Sequence, residues 1–80
     1  MKARIFVTLK KGVLDPQGKA IQRSLSHLGF EGLEEVRVGK FMEVRLAEMG
    51  RAEAEKLLQD ACQRLLANTV IEDYRVEIEE

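Results

Sequence analysis

Residues 9–20 read Leu-Lys-Lys-Gly-Val-Leu-Asp-Pro-Gln-Gly-Lys-Ala, and they join an alternating strand pattern to an amphipathic helix pattern. The stretch holds the only proline of the chain and two of its six glycines. Asp15 can accept a hydrogen bond from the free N–H groups of the turn that follows it. Pro16 then occupies the first helical position, where an N–H is not needed. The stretch therefore predicts that a helix begins at Pro16, directly after a turn.

The rest of the chain divides into segments with one of two hydrophobic periods. Apolar and polar residues alternate, as in half-buried strands, in Lys2–Lys10, Leu33–Val38, Phe41–Ala47 and Tyr74–Glu79. Apolar residues recur at helical spacing in Pro16–Leu28, through Ile21, Leu25 and Leu28, and in Arg51–Ala67, through Ala54, Leu57, Leu58, Ala61 and Leu65. Gly39 and Lys40 separate two alternating segments, so a hairpin turn is predicted there.

The predicted order is strand, helix, two strands, helix, strand. This order predicts an α+β, ferredoxin-like βαββαβ fold, with two helices on one face of a four-stranded antiparallel sheet. The right-handed crossover rule places the first and third strands centrally and the second and fourth at the edges. Eighty residues suit a single domain over residues 1–80. A core this small is often supplemented by self-association.

Charge and hydropathy exclude several classes of protein. Thirteen basic and fourteen acidic residues give a net charge of −1, which argues against nucleic-acid binding. The longest apolar runs are two or three residues, whereas a membrane span needs about 20. No signal-peptide core follows Met1, and a single cysteine suits a reducing compartment. A cytoplasmic protein is predicted, with neither a membrane nor a nucleic acid as a partner.

No group of residues carries the pattern of a catalytic, metal or cofactor site. Residues 12–19 superficially resemble a phosphate loop, but Ala20 stands where that motif needs Ser or Thr. His27 has no nucleophile or metal-ligand companion at a recognisable spacing. Cys62 flanks an apolar helix face and is interpreted as a small hydrophobic residue. The acidic tail Glu77–Glu80 is interpreted as a solvated strand edge. The chain is predicted to catalyse nothing by itself.

Two aromatic residues interrupt an otherwise polar sheet face. Alternation places Phe6 and Phe41 opposite the predicted helices, among charged and hydroxyl side chains. Paired aromatics on such a face are typical of a surface covered by another chain. Phe6 and Phe41 are therefore candidates for self-association.

The stretch around the first turn also carries a family resemblance. The run Lys11–Gly18, the pair Leu28-Gly29, the run Val36–Lys40 and the run Leu65–Tyr74 resemble the PurS family, the small subunit of phosphoribosylformylglycinamidine (FGAM) synthase. The resemblance spans nearly the whole chain. One departure is Thr69, where the family usually has proline, and the turn before the last strand is expected to be less rigid for it.

The resemblance implies a function in de novo purine biosynthesis. It implies a non-catalytic subunit that bridges an ATP-dependent synthetase subunit (PurL-type) and a glutaminase subunit (PurQ-type) and supports ammonia transfer between them. It implies a homodimer or a dimer of dimers, with ATP, Mg and glutamine used by the partner subunits and no cofactor on this chain. Mapped onto this sequence, it offers a candidate docking surface of Asp15, Gln17, Lys40, Glu72 and Tyr74.

An alternative function belongs to the same topology. A small-molecule-sensing regulatory domain would bind an effector at a subunit interface near the first loop. Saturable binding of amino acids or nucleotides to the isolated chain would favour that alternative. A free-standing enzyme is disfavoured because the chain lacks an acid, base, nucleophile or metal constellation.

Overall fold

A computed structural model describes all 80 residues. The elements are the strand β1 (Lys2–Leu9), the helix α1 (Pro16–His27), the strand β2 (Lys40–Arg45), the helix α2 (Arg51–Ala61) and the strand β3 (Glu72–Glu79). The three strands form one antiparallel sheet in the order β2-β1-β3. No helix combines the length and the apolar content needed to cross a membrane.

The core lies between the central strand and one helix. Alternation along β1 sends Ala3, Ile5 and Val7 to a single face, where all three are buried. Leu58 and Cys62 pack against them from above, together with Ala67. Apolar residues of the outer strands complete the layer from the sides: Met42 and Val44 of β2, and Tyr74, Val76 and Ile78 of β3. The predicted half-buried strands at the two ends of the chain are confirmed.

The second helix changes its winding before it ends. After α2, residues Cys62–Leu66 form a π-helical turn, and the N–H of Ala67 donates to the carbonyl of Cys62 at 3.1 Å. A π turn holds one extra residue and so rotates the following side chains about the helix axis. Leu65 is consequently 82% exposed, while Leu66 and Ala67 turn inward. The prediction of Leu65 on the apolar face is wrong for this reason, and Leu57, at 46% exposed, is only partly covered.

The predicted four-stranded sheet is wrong, because residues 33–38 pair with no strand. Side chains satisfy only part of the backbone of this segment: the Gln22 amide donates to the carbonyls of Leu33 and Glu34 at 2.7 and 2.8 Å. The predicted hairpin at Gly39 and Lys40 is absent, and the chain runs from this segment directly into β2. The strand β2 was expected at the centre of the sheet, and it lies at an edge because its expected outer neighbour is missing.

Only one of the two helices covers the sheet. Gly18 is the sole buried residue of α1, and the hydrophobic core includes no residue of that helix. The helix lies instead along residues 33–38, and the chain is elongated, with a longest dimension of 49 Å. We call α1 and residues 33–38 together the arm. The sheet face over β2 is consequently left without a helix.

Candidate docking surface

Asp15 ties the first helix to the extended segment. Its Oδ1 accepts the N–H of Gly18 at 2.8 Å and caps α1, as the sequence predicts. Its Oδ2 accepts the N–H of Val38 at 2.7 Å, across 23 residues of sequence. The N–H groups of Val38 and Gly18 favour the charged carboxylate and lower the pKa of Asp15 below its usual value. Asp15 is 5% exposed, and both of its oxygens are used within the chain.

The glycine at the third helical position permits a close approach of the two parts of the arm. A Cβ atom on Gly18 would lie 2.0 Å from the carbonyl oxygen of Val36. Arg37 adds a second set of contacts, since its guanidinium donates to the carbonyls of Val13 and Lys10 at 2.8 and 3.2 Å. Sequence reasoning missed these contacts, because they join positions that are 18 to 27 residues apart.

Four of the five predicted docking residues meet at the base of the arm. Asp15, Gln17, Lys40 and Glu72 line one recess of about 410 Å³, beside Val7, Leu9, Val38 and Gly39. The Lys40 ammonium lies 3.9 Å from the Glu72 carboxylate, and the Glu72 side chain also accepts the N–H of Asn68 at 2.7 Å. Gln17 and Lys40 are exposed, whereas Asp15 is buried, so the exposed pair is the part of this group available to a partner.

The fifth predicted docking residue lies elsewhere. Tyr74 packs beneath α2, where its hydroxyl donates to Gln59 at 2.7 Å and accepts from Gln63 at 2.8 Å. It lines a shallow groove between α2 and β3 rather than the recess at the base of the arm. Its contacts within the chain account for its position without a partner.

The two phenylalanines meet on the sheet face opposite α2. Phe6 and Phe41 are directly paired in the β1–β2 register, with ring centroids 5.1 Å apart. The Arg75 guanidinium lies 4.3 Å from the centre of the Phe6 ring, at cation–π distance. Alternation alone would place Arg75 on this face, but only the strand register sets it opposite Phe6. Phe41 is 54% exposed, so the surface formed by Phe6, Phe41 and Arg75 remains accessible to a partner.

The remaining titratable candidates form no reactive group. Cys62 is buried, and burial raises the pKa of its thiol. His27 lies exposed in the last turn of α1. Three residues of the acidic tail pair with arginines: Glu79 with Arg4 at 2.6 Å, Glu77 with Arg75 at 3.5 Å and Glu80 with Arg51 at 3.9 Å. No three His, Cys, Asp or Glu side chains are placed to hold a metal ion together.

The sequence matches a known family from end to end. The family model described as PurS, phosphoribosylformylglycinamidine (FGAM) synthase, matches residues 2–80. The chain belongs to the PurS family. The PurS subunit of Bacillus subtilis FGAM synthase is 46% identical over 79 residues, which cover 99% of this chain and 93% of that protein. The PurS subunit from Synechocystis is 49% identical over 75 residues, covering 94% of this chain and 75% of its own.

Solved PurS structures share the arrangement of this chain. Crystalline B. subtilis PurS superposes with a TM-score of 0.90 at 46% identity, covering 99% of this chain and 98% of the other. A chain in the structure of PurLQS from Thermotoga maritima superposes with a TM-score of 0.86 at 31% identity, covering 95% of this chain and 93% of its own. Near-complete coverage on both sides means that the three-stranded sheet and the arm belong to one PurS-type unit.

Proposed function

We propose that this chain is a non-catalytic subunit of FGAM synthase, which bridges a synthetase subunit and a glutaminase subunit and supports ammonia transfer between them. The observation that carries the proposal is its end-to-end likeness to a chain of the T. maritima PurLQS structure. The PurS protein from Methanocaldococcus jannaschii, whose solved structure resembles this chain, is one of the subunits of formylglycinamide ribonucleotide amidotransferase in the purine biosynthetic pathway. In this proposal ATP, Mg and glutamine bind to the partner subunits, and the assembly works in the cytoplasm.

The recess at the base of the arm is the proposed contact with a catalytic subunit. Gln17 and Lys40 expose polar side chains there, next to the apolar floor formed by Val7 and Leu9. A polar rim around an apolar centre is the usual composition of a protein interface. Ammonia moving between active sites must be kept from water, so a shift in subunit docking would interrupt its delivery.

We also propose that the chain is a homodimer, or a dimer of dimers, in solution. Its accessible surface is 6141 Å². A compact protein of 9.1 kDa is expected to expose only about 4,900 Å². The excess of roughly 1,200 Å² exceeds the approximately 800 Å² that each partner buries in a standard interface. Large apolar side chains contribute to the exposed surface, and those of the arm and its connecting loops are Leu14, Ile21, Leu28, Phe30 and Leu33.

Reconstitution tests the bridging function directly. Purified synthetase and glutaminase subunits are assayed for FGAM formation with ATP and either glutamine or ammonium, with and without this chain. The proposal expects the glutamine-driven rate to depend on the chain and the ammonium-driven rate to be nearly independent of it. Equal rates with and without the chain under both conditions would contradict the proposal.

A matched pair of variants tests the contact surface. Gln17→Ala removes an exposed side chain at the recess, whereas Lys19→Ala removes an exposed side chain of the same helix outside it. We expect the glutamine-driven rate to fall several-fold for Gln17→Ala alone, with the ammonium-driven rate unchanged for both. A smaller or equal effect of Gln17→Ala would remove the recess from the docking surface.

A further inference from the structure

The outer edge of β3 carries unpaired backbone groups. The strand β3 pairs with β1 on one side and with no strand on the other. The N–H of Lys10 donates to the carbonyl of Ile71 at 2.8 Å, which continues the register of the β1–β3 pair. Because backbone groups of an antiparallel strand point alternately to its two sides, those of Tyr74, Val76 and Ile78 point away from β1. We call these outward-pointing groups the β3 edge, and such an edge is a template for another strand.

A groove lies beside the β3 edge, on the face that carries α2. It has a volume of about 620 Å³, and the apolar part of its lining is Leu57 and Tyr74. The side chains of Tyr74, Val76 and Ile78 point to this face and are each half-buried. A strand added at the β3 edge would send every second side chain to the same face, over the groove. Apolar side chains at those positions would cover the exposed part of Leu57.

The opposite face of β3 is acidic. Alternation along the strand places Asp73, Glu77 and Glu79 there, with Arg75 as the single basic residue. Asp73 has no ion pair, and Glu77 and Glu79 stay 47% and 58% exposed within theirs. Opposite charges on directly opposed residues stabilise a strand pair. The remaining side chains of an added strand therefore face carboxylates, which favour lysine or arginine.

Charge argues against a second copy of β3 as the added strand. Pairing β3 with itself over its full length, about a two-fold axis at Val76, sets Asp73 opposite Glu79 of the second copy, and this happens twice. Each strand brings four carboxylates and one guanidinium. The same register would also pair Arg75 with Glu77 of the second copy, but Arg75 already lies 3.5 Å from Glu77 of its own chain. A basic strand from a different protein suits this edge better.

We infer that the β3 edge is a docking site for an extended segment of a catalytic subunit, in which apolar residues alternate with lysines or arginines. The inference rests on the proposed function and adds a second contact to the one at the base of the arm. In such strand addition, backbone hydrogen bonds supply affinity, and the alternating side chains supply specificity. The other edge strand, β2, carries Lys40 and Arg45 against Glu43, so a basic segment is directed to β3.

A synthetic peptide tests the edge on the isolated full-length chain. The probe acetyl-Lys-Val-Lys-Val-Thr-Val-Lys-amide, set antiparallel along residues 73–79, places a lysine opposite each carboxylate of the acidic face. Its valines lie opposite the three residues of the β3 edge. We expect an NMR titration to show saturable shifts at the amides of Tyr74, Val76 and Ile78. No saturable binding at millimolar peptide, or shifts confined to β2, would overturn the inference.

Two changes to the peptide test how it is held. Replacing its lysines with glutamates should weaken binding at least about tenfold, and equal binding would show that charge does not select the segment. The N–H of its central valine points to β3, whereas that of its threonine points away. We therefore expect N-methylation of the central valine to abolish binding and N-methylation of the threonine to preserve it. Equal binding of the two methylated peptides would show that the peptide is not added as a strand.

Variants of the chain locate the site. Val76→Pro removes an N–H of the β3 edge, and proline is tolerated where the N–H of an edge strand faces solvent. Val76→Ala keeps the N–H and measures the loss of the side chain alone. We expect peptide binding to be at least about tenfold weaker for Val76→Pro than for Val76→Ala, and equal binding would contradict the inference. If Val76→Pro does not fold, the methylated peptides decide the question on the wild-type chain.

The groove has its own matched pair of variants. Leu57→Ala truncates the apolar side chain in the groove, whereas Leu65→Ala truncates an exposed leucine of the π-helical turn outside it. We expect Leu57→Ala to weaken binding of the peptide several-fold and Leu65→Ala to leave it unchanged. An equal effect of the two variants would mean that the added segment does not cover the groove.

The reconstituted reaction separates this inference from the function on which it rests. We expect Val76→Pro to lose most of the stimulation of glutamine-driven FGAM formation, and Leu65→Ala to retain it. Full stimulation by Val76→Pro would show that no catalytic subunit uses the β3 edge, and it would leave the proposed function standing. A wild-type chain that stimulates nothing would overturn the proposed function and, with it, the partner inferred for this edge.

Discussion

Replacing Gly18 with alanine should weaken the arm, although alanine is the better helix former. In an exposed helix interior the change would stabilise by about 1 kcal/mol. Here the new Cβ atom would lie 2.0 Å from the Val36 carbonyl oxygen, about 1 Å closer than a tolerable contact. Moving residues 33–38 away by 1 Å would stretch the two hydrogen bonds donated by Gln22, now 2.7 and 2.8 Å, beyond useful length.

The two opposing effects can be compared in magnitude. Loss of two hydrogen bonds costs about 2 kcal/mol. Overpacking against a backbone that cannot fully retreat adds about 1 kcal/mol. The higher helix propensity of alanine offsets about 1 kcal/mol of this cost. The net cost is about 2 kcal/mol, which raises the equilibrium constant for opening of the arm about 30-fold.

Amide hydrogen exchange is the suitable assay, because the arm can open while the sheet stays folded. We expect exchange in α1 and at Val38 to accelerate about 30-fold in Gly18→Ala, with β1 unaffected. Ser24→Ala, on the exposed side of the same helix, is the control and should exchange slightly more slowly than wild type. Slower exchange in Gly18→Ala would refute the reasoning, since it would mean that α1 does not lie against residues 33–38.

Three further predictions concern single side chains. Hydrogen bonds lower the pKa of Asp15, so the Asp15 carboxylate stabilises the arm fully above the ordinary carboxyl pKa, and this stabilisation is lost as the pH falls through the lowered pKa. Circular dichroism should therefore show a loss of helix on acidification. The helix content of Asp15→Asn should depend less on pH. Tyr74→Phe removes a hydroxyl bonded to two glutamines and should reduce the free energy of unfolding by about 1 kcal/mol, whereas an unchanged urea midpoint would show that those bonds contribute nothing. Burial raises the pKa of Cys62, so alkylation at pH 8 should be slow in the native protein and rapid in urea; rapid native alkylation would contradict its burial.

Local patterns identified most of the secondary structure. The cap at Asp15 and the proline after it correctly placed the beginning of α1, and alternation correctly assigned the inward side chains of β1 and β3. These features depend on neighbours within a few residues, which a sequence displays directly. The π-helical turn after α2 was not foreseen, because apolar spacing through Leu65 fits an ordinary helix equally well.

The candidate docking residues could be named from the sequence, but their arrangement could not. The sequence offered Asp15, Gln17, Lys40 and Glu72 as docking residues, and the structure collects all four around one recess. It could not show that Asp15 would be buried and fully bonded, since the second partner of its carboxylate is the Val38 N–H, 23 residues away. A contact of that separation has no signature in local spacing.

The sequence by itself determined the two helices, the strands β1, β2 and β3, the inward faces of β1 and β3, and the PurS resemblance, because period, caps and motifs are local properties. Only the tertiary structure decided where residues 33–38 would lie. Their alternation predicts a strand, and an alternating segment is equally satisfied by any strand edge that supplies hydrogen bonds and an apolar face. In the single chain the side chains of α1 hold one side of that segment, and its other side stays open. Whether this segment joins the sheet of its own chain is decided by long-range geometry that the local pattern does not contain.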